Sequence, residues 1–413
     1  MRLAAERGVS DPIERGLDGL NFFLADVRDG LGPYLSIYLL TVQRWDAAAI
    51  GVVISIAAIS AIVAQGPAGA LIDRTTSKRG VIVAAAIIVT ASCIGLIWFS
   101  QFWAVALLQS LQGVSAAVFA PAIAAVTLGI VGPRAFARRL GRNEAWNHAG
   151  NATAAVLAGG AAYFYGPTVV FWLMAAMAVA SVCATLSIPA DRIDHDAARG
   201  LDDSHDKPGA EHDPSAFRSL LASRPLLVFA ASTTLFHFAN AAMLPLVGQK
   251  LALANEHLGT TLMSACIVAA QLVMVPVALI VGGKADSWGR KPIFATALGV
   301  LALRGALYPL SDTTAWLLSV QLLDGVGAGI FGALFPVIVA DVTRGTGRFN
   351  ASQGAIATAQ GIGGALSSGV AGIIVTHAGY SAAFLTLAAV AMCGLVLFLC
   401  AMPETAFAKD GVA

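Results

Sequence analysis

The stretch GALIDRTTSKR, residues 69–79, returns as GGKADSWGRK, residues 282–291, and aligning Asp73 with Asp286 sets the two copies 213 positions apart. Each copy is a charged, glycine-led loop between long apolar segments. A second pair agrees with the first. LLQSLQGVSAAVFAP matches LSVQLLDGVGAGIFGALFP, with Gln109 over Gln321 and Gly113 over Gly325, an offset of 212. LAGGAA (157–162) also resembles GIGGAL (361–366). The chain is therefore read as two similar halves, an arrangement suited to rocking one bundle against the other.

The segments around these loops belong in a bilayer. Of 413 residues, 57% are apolar and only 12% charged, about half the charged share of a soluble domain (~25%). The 42 glycines suit close helix approach. Cys93, Cys183, Cys266, Cys393 and Cys400 all fall in apolar runs with no CxxC pair, so they read as packing residues. A net charge of +1 argues against nucleic acid as a partner. No GxSxG, HExxH or P-loop is present, so no enzyme site, metal or cofactor is expected.

Windows of about 20 apolar residues give twelve candidate spans, near 17–41, 46–72, 80–100, 102–131, 143–166, 168–188, 225–250, 258–283, 291–310, 314–342, 349–376 and 379–402. The expected organisation is a tail (1–16), a six-helix bundle (17–188), a linker (189–224), a second six-helix bundle (225–402) and a tail (403–413). MRLAAERGVSDPIERG has no apolar core and is not a signal peptide, which leaves the N-terminus in the cytoplasm. Positive charge agrees with both termini inside. Arg74, Lys78, Arg79, Arg134, Arg138, Arg139, Arg142, Lys284, Arg290, Lys291, Arg344 and Arg348 fall on one side, against Arg44 and Lys250 on the other. The acidic stretch 191–218 contains His195, His205 and His212; it reads as a solvated linker, with a metal-sensing tail as the alternative.

The two loops resemble motif A of the major facilitator superfamily, GxLaDrxGrk, which follows helices 2 and 8. The second copy keeps Gly282, Asp286, Gly289, Arg290 and Lys291, with Lys284 where Leu is usual. The first keeps Gly69, Leu71, Asp73 and Arg74 but has Thr76 at the second glycine. The resemblance covers essentially the whole chain. It implies an all-α fold of twelve transmembrane helices in two pseudo-symmetric bundles, alternating access, a monomer, and Asp73 and Asp286 latching the halves when the cytoplasmic side closes. The chain departs from the family's exporters in two places. Gln109 stands where motif B has arginine, and Ala155 and Val156 replace the glycine–proline pair of motif C.

Span 1, GLNFFLADVRDGLGPYLSIYLL (19–40), carries Asp26, Arg28 and Asp29. At 1.5 Å per residue the acids lie roughly 14–18 Å from Leu17, the midplane of a core about 30 Å thick. A charge there costs at least ~2.5–3.5 kcal/mol, so these groups must line water or find partners. Asp26 and Asp29 share a helix face, while Arg28 projects elsewhere, towards Glu144 or the set Asn147, His148 and Asn151. Two carboxylates on one face suit a carried proton, giving Asp26, Asp29 and Arg28 as the expected coupling group; a static ion-pair network and metal ligation are the alternatives. The resemblance puts helices 1, 4, 7 and 10 around a cavity, and so implies Gln109, Gln112, His237, Asn240, Gln321 and Asp324 as substrate contacts. Gly30, Gly32, Pro33, Pro121 and Pro245 supply bending points, and Arg304 is expected to snorkel to the outer face.

The expected function is secondary transport in a bacterial inner membrane, with small solutes and protons as partners. Proton-driven export of an organic or toxic solute leads. Proton-coupled uptake of a nutrient or metal chelate is the alternative, and a non-transporting receptor or scaffold is a third possibility.

Overall fold

A computed structural model describes residues 12–29, 31–195, 197–199, 223–344 and 349–406. The structure is all-helical among these residues: α1 Pro12–Asp29, α2 Pro33–Thr41, α3 Ala47–Arg74, α4 Lys78–Gly95, α5 Phe102–Ala116, α6 Phe119–Tyr165, α7 Val169–Ser187, α8 Arg224–Ala241, α9 Met243–Ala254, α10 Gly259–Trp288, α11 Arg290–Leu307, α12 Thr314–Val342 and α13 Phe349–Ala401.

These elements make twelve crossings. α6 and α13 each hold two, divided at Gly132 (φ 70°) and Gly379 (φ 83°), where a positive φ turns the chain without a steric penalty. Crossings 1, 4 and 7 are each formed by two helices, parted before Pro33, at 117–118 and at 242. The first and fifth crossings fall outside the stretches long and apolar enough to span a membrane on composition alone. Both carry polar groups that need an interior partner, and the fold provides one. At the first crossing's start, Asp18 accepts from Arg139 at 2.6 Å and also bonds Arg142, whose other nitrogen reaches Glu14 at 2.9 Å.

The internal repeat is visible as packing. A Cβ on Gly113 would lie 2.2 Å from the carbonyl oxygen of Ala57, and one on Gly325 2.3 Å from that of Ala270. Ala57 and Ala270 are themselves 213 positions apart. Each half thus presses an equivalent pair of helices, α5 on α3 and α12 on α10, together through one glycine, and any side chain there would force them apart. The same contacts correct one register. Gly150 packs on the Phe22 carbonyl and Gly363 on that of Thr234, so these two glycines are the equivalent pair. LAGGAA and GIGGAL are therefore alike in composition but not in position.

The halves meet at the end away from the basic loops. Tyr34 Oη lies 2.9 Å from Ser264 Oγ, Thr261 donates to the Gly159 carbonyl at 2.9 Å, and the Gly369 amide donates to Ser55 Oγ at 2.8 Å. Arg44 pairs with Glu256 at 2.5 Å across the same end. Gly51 and Gly372 let α3 and α13 touch backbone to backbone. At the basic end, by contrast, a methyl group added to Gly66, Gly69, Gly282, Gly283 or Gly354 would meet nothing within 4 Å. The hydrogen bonds and the Arg44–Glu256 ion pair named above all join the halves at the opposite end.

Candidate functional site

Between the halves lies a cavity of about 540 Å³. Its walls include the helix breaks: Leu31, Gly32 and Pro33 between α1 and α2, and Asn240, Ala241 and Pro245 around the α8–α9 break. Gly32 adopts φ 45° and Pro33 opens α2, so the chain cannot continue as one helix there. Interrupted backbone at membrane depth is tolerated where it lines a cavity, which is where these breaks are.

The second half supplies a charged cluster. Arg304 enters from α11 and is 1% exposed. Its guanidinium donates to Asp324 on α12 and, at 2.9 Å, to Asn240 Oδ1 on α8; Nε points at the Met243 sulfur, 3.3 Å away. Asp324 Oδ2 also accepts from Gln321 Nε2 at 3.0 Å, and Gln321 Oε1 accepts from Tyr308 Oη at 2.6 Å. One buried cation is thus held by three helices, and its carboxylate partner remains 17% exposed at the cavity wall. Arg304 was expected to snorkel outward. It turns inward although it lies in the last turn of α11, because Asp324 and Asn240 offer its guanidinium partners inside the bundle.

The first half repeats this geometry with neutral groups. Gln112, the counterpart of Asp324, accepts from Cys93 Sγ of α4 at 3.3 Å. Gln109 lies one turn earlier on α5 and also lines the cavity. The site is therefore lopsided, charged on one side and amide-lined on the other.

Gln109, Gln112, His237, Asn240 and Asp324 all line the cavity, joined by Arg304, Gln360 and Ser368. Gln321 stands behind Asp324 instead of at the wall. His237 Nδ1 donates to the Thr233 carbonyl at 3.1 Å, and its ring meets Phe331 edge to face at 4.9 Å. In the neutral ring that leaves Nε2 as the acceptor. Asp26 is half-buried on α1, close enough to act electrostatically on Tyr34 and Cys93, but is not among the residues lining this cavity. The Asp29 side chain and Gly30 lie outside the described residues, as do His205 and His212. Arg28 is half-buried and Glu144 exposed, and no ion pair joins them.

Arg304 and Gln360 were missed as site residues because neither helix 9 nor helix 11 belongs to the set implied to line the cavity. One signal was available for Arg304: an arginine within an apolar window, 20 residues before an unpaired aspartate.

At the basic end the two loop copies differ. Asp286 is 90% exposed and pairs with Arg290 at 2.9 Å, one turn on. Arg290 is buried, with Nε 2.5 Å from Asp341 Oδ2 at the end of α12, an ion pair too bent to be a hydrogen bond. Gly289 (φ 85°) opens α11, whose first amides, Arg290 N and Lys291 N, donate to the Glu404 carboxylate at 2.9 and 3.1 Å. Burial alone would push the Glu404 carboxyl up, but hydrogen bonds from Ala406, Arg290, Lys291 and Thr405 amides hold it below the usual range. In the first copy Lys78 is buried and donates to the carbonyls of Ile72 and Thr75, closing the end of α3. Asp73 and Arg74 are exposed, and Asp73 forms no ion pair among the described residues. In this conformation neither aspartate bonds the opposite half.

Comparison with known proteins places these features in context. A family model described as Major Facilitator Superfamily matches residues 18–367 and 251–413. Two curated proteins of Mycobacterium tuberculosis, from strains H37Rv and CDC 1551, each described as an uncharacterized MFS-type transporter, are 60% identical over 394 residues, covering 95% of this chain and 94% of theirs. Among solved structures, the nucleoside transporter NupG superposes with a TM-score of 0.75 at 16% identity, covering 94% of this chain and 98% of its own. A D-xylose-proton symporter gives 0.68 at 12% identity, covering 95% and 98%. At such identities the two structures speak for the fold alone.

Proposed function

Since this chain belongs to the major facilitator superfamily and is a multi-pass secondary transporter of small molecules, not an enzyme, we propose that it couples proton movement to the uptake of a small polar solute, with Asp324 as the proton carrier. The observation that carries this reading is the Arg304–Asp324 pair at the cavity wall. Adding a proton to Asp324 strips the buried Arg304 of its counter-charge, and an uncompensated buried charge costs ~3–5 kcal/mol. A solute that offers Arg304 an acceptor offsets that cost. Proton and solute then favour each other's binding, which is the requirement for symport.

Orientation follows from charge: the basic end faces the cytoplasm of a bacterial inner membrane, with both termini on that side. The cavity is then open inward, and the Tyr34–Ser264 and α3–α13 contacts form the outer gate. Asp73 and Asp286 latch the inner side in the alternate state. The twelve crossings work as a 17–188 and a 225–402 bundle in a single chain, without need of a second copy to complete the cavity.

Uptake is favoured over export by the absent glycine–proline pair and by the wall, where amides, one histidine and the Arg304–Asp324 pair stand among aliphatic groups such as Leu31, Leu35, Ile54 and Leu244, with no Phe, Tyr or Trp among the described lining residues. Export by antiport is the second reading, favoured by Asp26 within α1, with Asp29 and Arg28 as its partners. De-energised cells in weakly buffered medium separate the two. Addition of a transported solute alkalinises the medium under symport, while antiport export gives no such response and instead raises tolerance to a toxic compound.

A further inference from the structure

Gln109 and Gln360 both line the cavity, are only 4% and 7% exposed, and each has a buried Nε2 with no hydrogen-bond partner. Two unpaired buried donors in one cavity are uncommon, because each forfeits the hydrogen bonds that water gave it. The two sit on opposite halves, Gln109 on α5 and Gln360 on α13. The terminal torsion of a glutamine is soft, so a modest rotation turns either amide nitrogen into the cavity.

The charges in the same cavity are already spent on each other. Among the described residues, Arg304 and Asp324 are the only formally charged ones lining the cavity, and they are paired. Arg304 has Nε, Nη1 and Nη2 all engaged by protein atoms. While Asp324 is ionised, an ionised solute would bring in a charge with no free counter-charge to meet it, and once Asp324 is protonated an uncharged acceptor oxygen suffices to take the bond that its carboxylate gives up.

We propose that the solute is uncharged and rich in acceptor oxygens, and that Gln109 and Gln360 are its specificity-determining donors, one gripping it from each half. This rests on the transporter reading above and deepens it by naming the substrate class. A solute held by both halves also ties its own binding to their closure, since only a molecule that reaches both amides draws α5 and α13 together at the cavity.

The test uses the purified full chain in detergent and thermal unfolding with matched probes: D-xylose, myo-inositol and uridine against D-xylonate, D-glucosamine and uridine monophosphate. At least one uncharged probe is expected to raise the unfolding temperature where its charged counterpart does not. Gln109→Leu and Gln360→Leu should each weaken that probe's apparent affinity roughly tenfold, the worth of one good hydrogen bond. Without probe, both variants should unfold at or above the wild-type temperature, since an unpaired donor has been removed; a merely structural glutamine would lower it. Stabilisation by charged probes only, by no probe, or with unchanged affinity in both variants overturns the proposal. No proton gradient is present in this assay, so failure of proton coupling would leave its result intact and would show separately, as solute transport indifferent to pH.

Discussion

Arg304 on α11 donates to Asp324 on α12 from a position with almost no solvent exposure, while the aspartate keeps one side open to the cavity. The asymmetry matters. The arginine cannot leave, and the carboxylate can be reached by a proton.

Breaking that pair from one side should be far worse than removing it whole. Asp324→Asn leaves a buried cation and is expected to cost ~3–5 kcal/mol of stability, whereas Arg304→Met combined with Asp324→Asn should recover most of the loss. Thermal unfolding of the three variants in detergent measures this. Equal destabilisation by the single and double variants would mean that the pair contributes through packing instead of charge.

The basic loops make the opposite kind of prediction. Asp286 is exposed, so Asp286→Asn should change the stability of this conformation by less than ~1 kcal/mol. Asp341 is the buried partner of Arg290, and Asp341→Asn should destabilise by several times as much. If Asp286 matters to transport while sparing stability, its work belongs to the other conformation, the one with the inner side shut.

At the outer end, Gly372 lies against the backbone of Ala47, where an added Cβ would approach the carbonyl oxygen to 2.3 Å. Gly372→Val should wedge α13 from α3 and shift the population towards the outward-open state. In a background lacking the five native cysteines, a Ser368→Cys reporter beside this contact should react faster with a membrane-impermeant maleimide when Gly372→Val is added. Unchanged or slower labelling would show that α3 and α13 are not the gate.

Glu404 gives a pH dependence with a definite sign. Its carboxyl is held below the ordinary range by backbone amides. The stability it contributes is therefore fully present above the unfolded value of about 4.3 and is lost as pH falls through the lower folded value. The wild-type advantage over Glu404→Gln, followed as the difference in unfolding temperature in detergent, should be constant near neutrality and vanish only in strong acid. An advantage that disappears already near pH 6 would contradict the capping role.

Much of this was legible in the chain itself. The Asp73–Asp286 and Gly113–Gly325 offsets announced two halves, and both glycines prove to be packing sites against equivalent carbonyls. Hydropathy placed the spans because each crossing must satisfy its backbone internally. Three things escaped. The α1 aspartates drew attention because charge in a span is conspicuous; Asp26 lies near enough to act electrostatically on Tyr34 and Cys93 and is not among the residues lining the main cavity, while the Asp29 side chain lies outside the described residues. Arg304 looked like a peripheral charge, since nothing in a linear sequence shows that α11 leans on α12. Gln360 carried no charge at all, and an orphaned amide becomes visible only when its missing partners are known. Depth in the membrane can be read from a sequence; the direction in which a side chain turns depends on its neighbours.

The central claim, that Asp324 carries the coupled proton, is tested most directly by current. Wild-type and Asp324→Asn protein are reconstituted on a solid-supported membrane and given a concentration jump of the uncharged solute picked out by thermal stabilisation. The account predicts a proton-carried transient in the wild type that disappears in Asp324→Asn, while the variant still exchanges labelled solute across vesicles. A transient of equal size in both proteins, or none in the wild type, would contradict it.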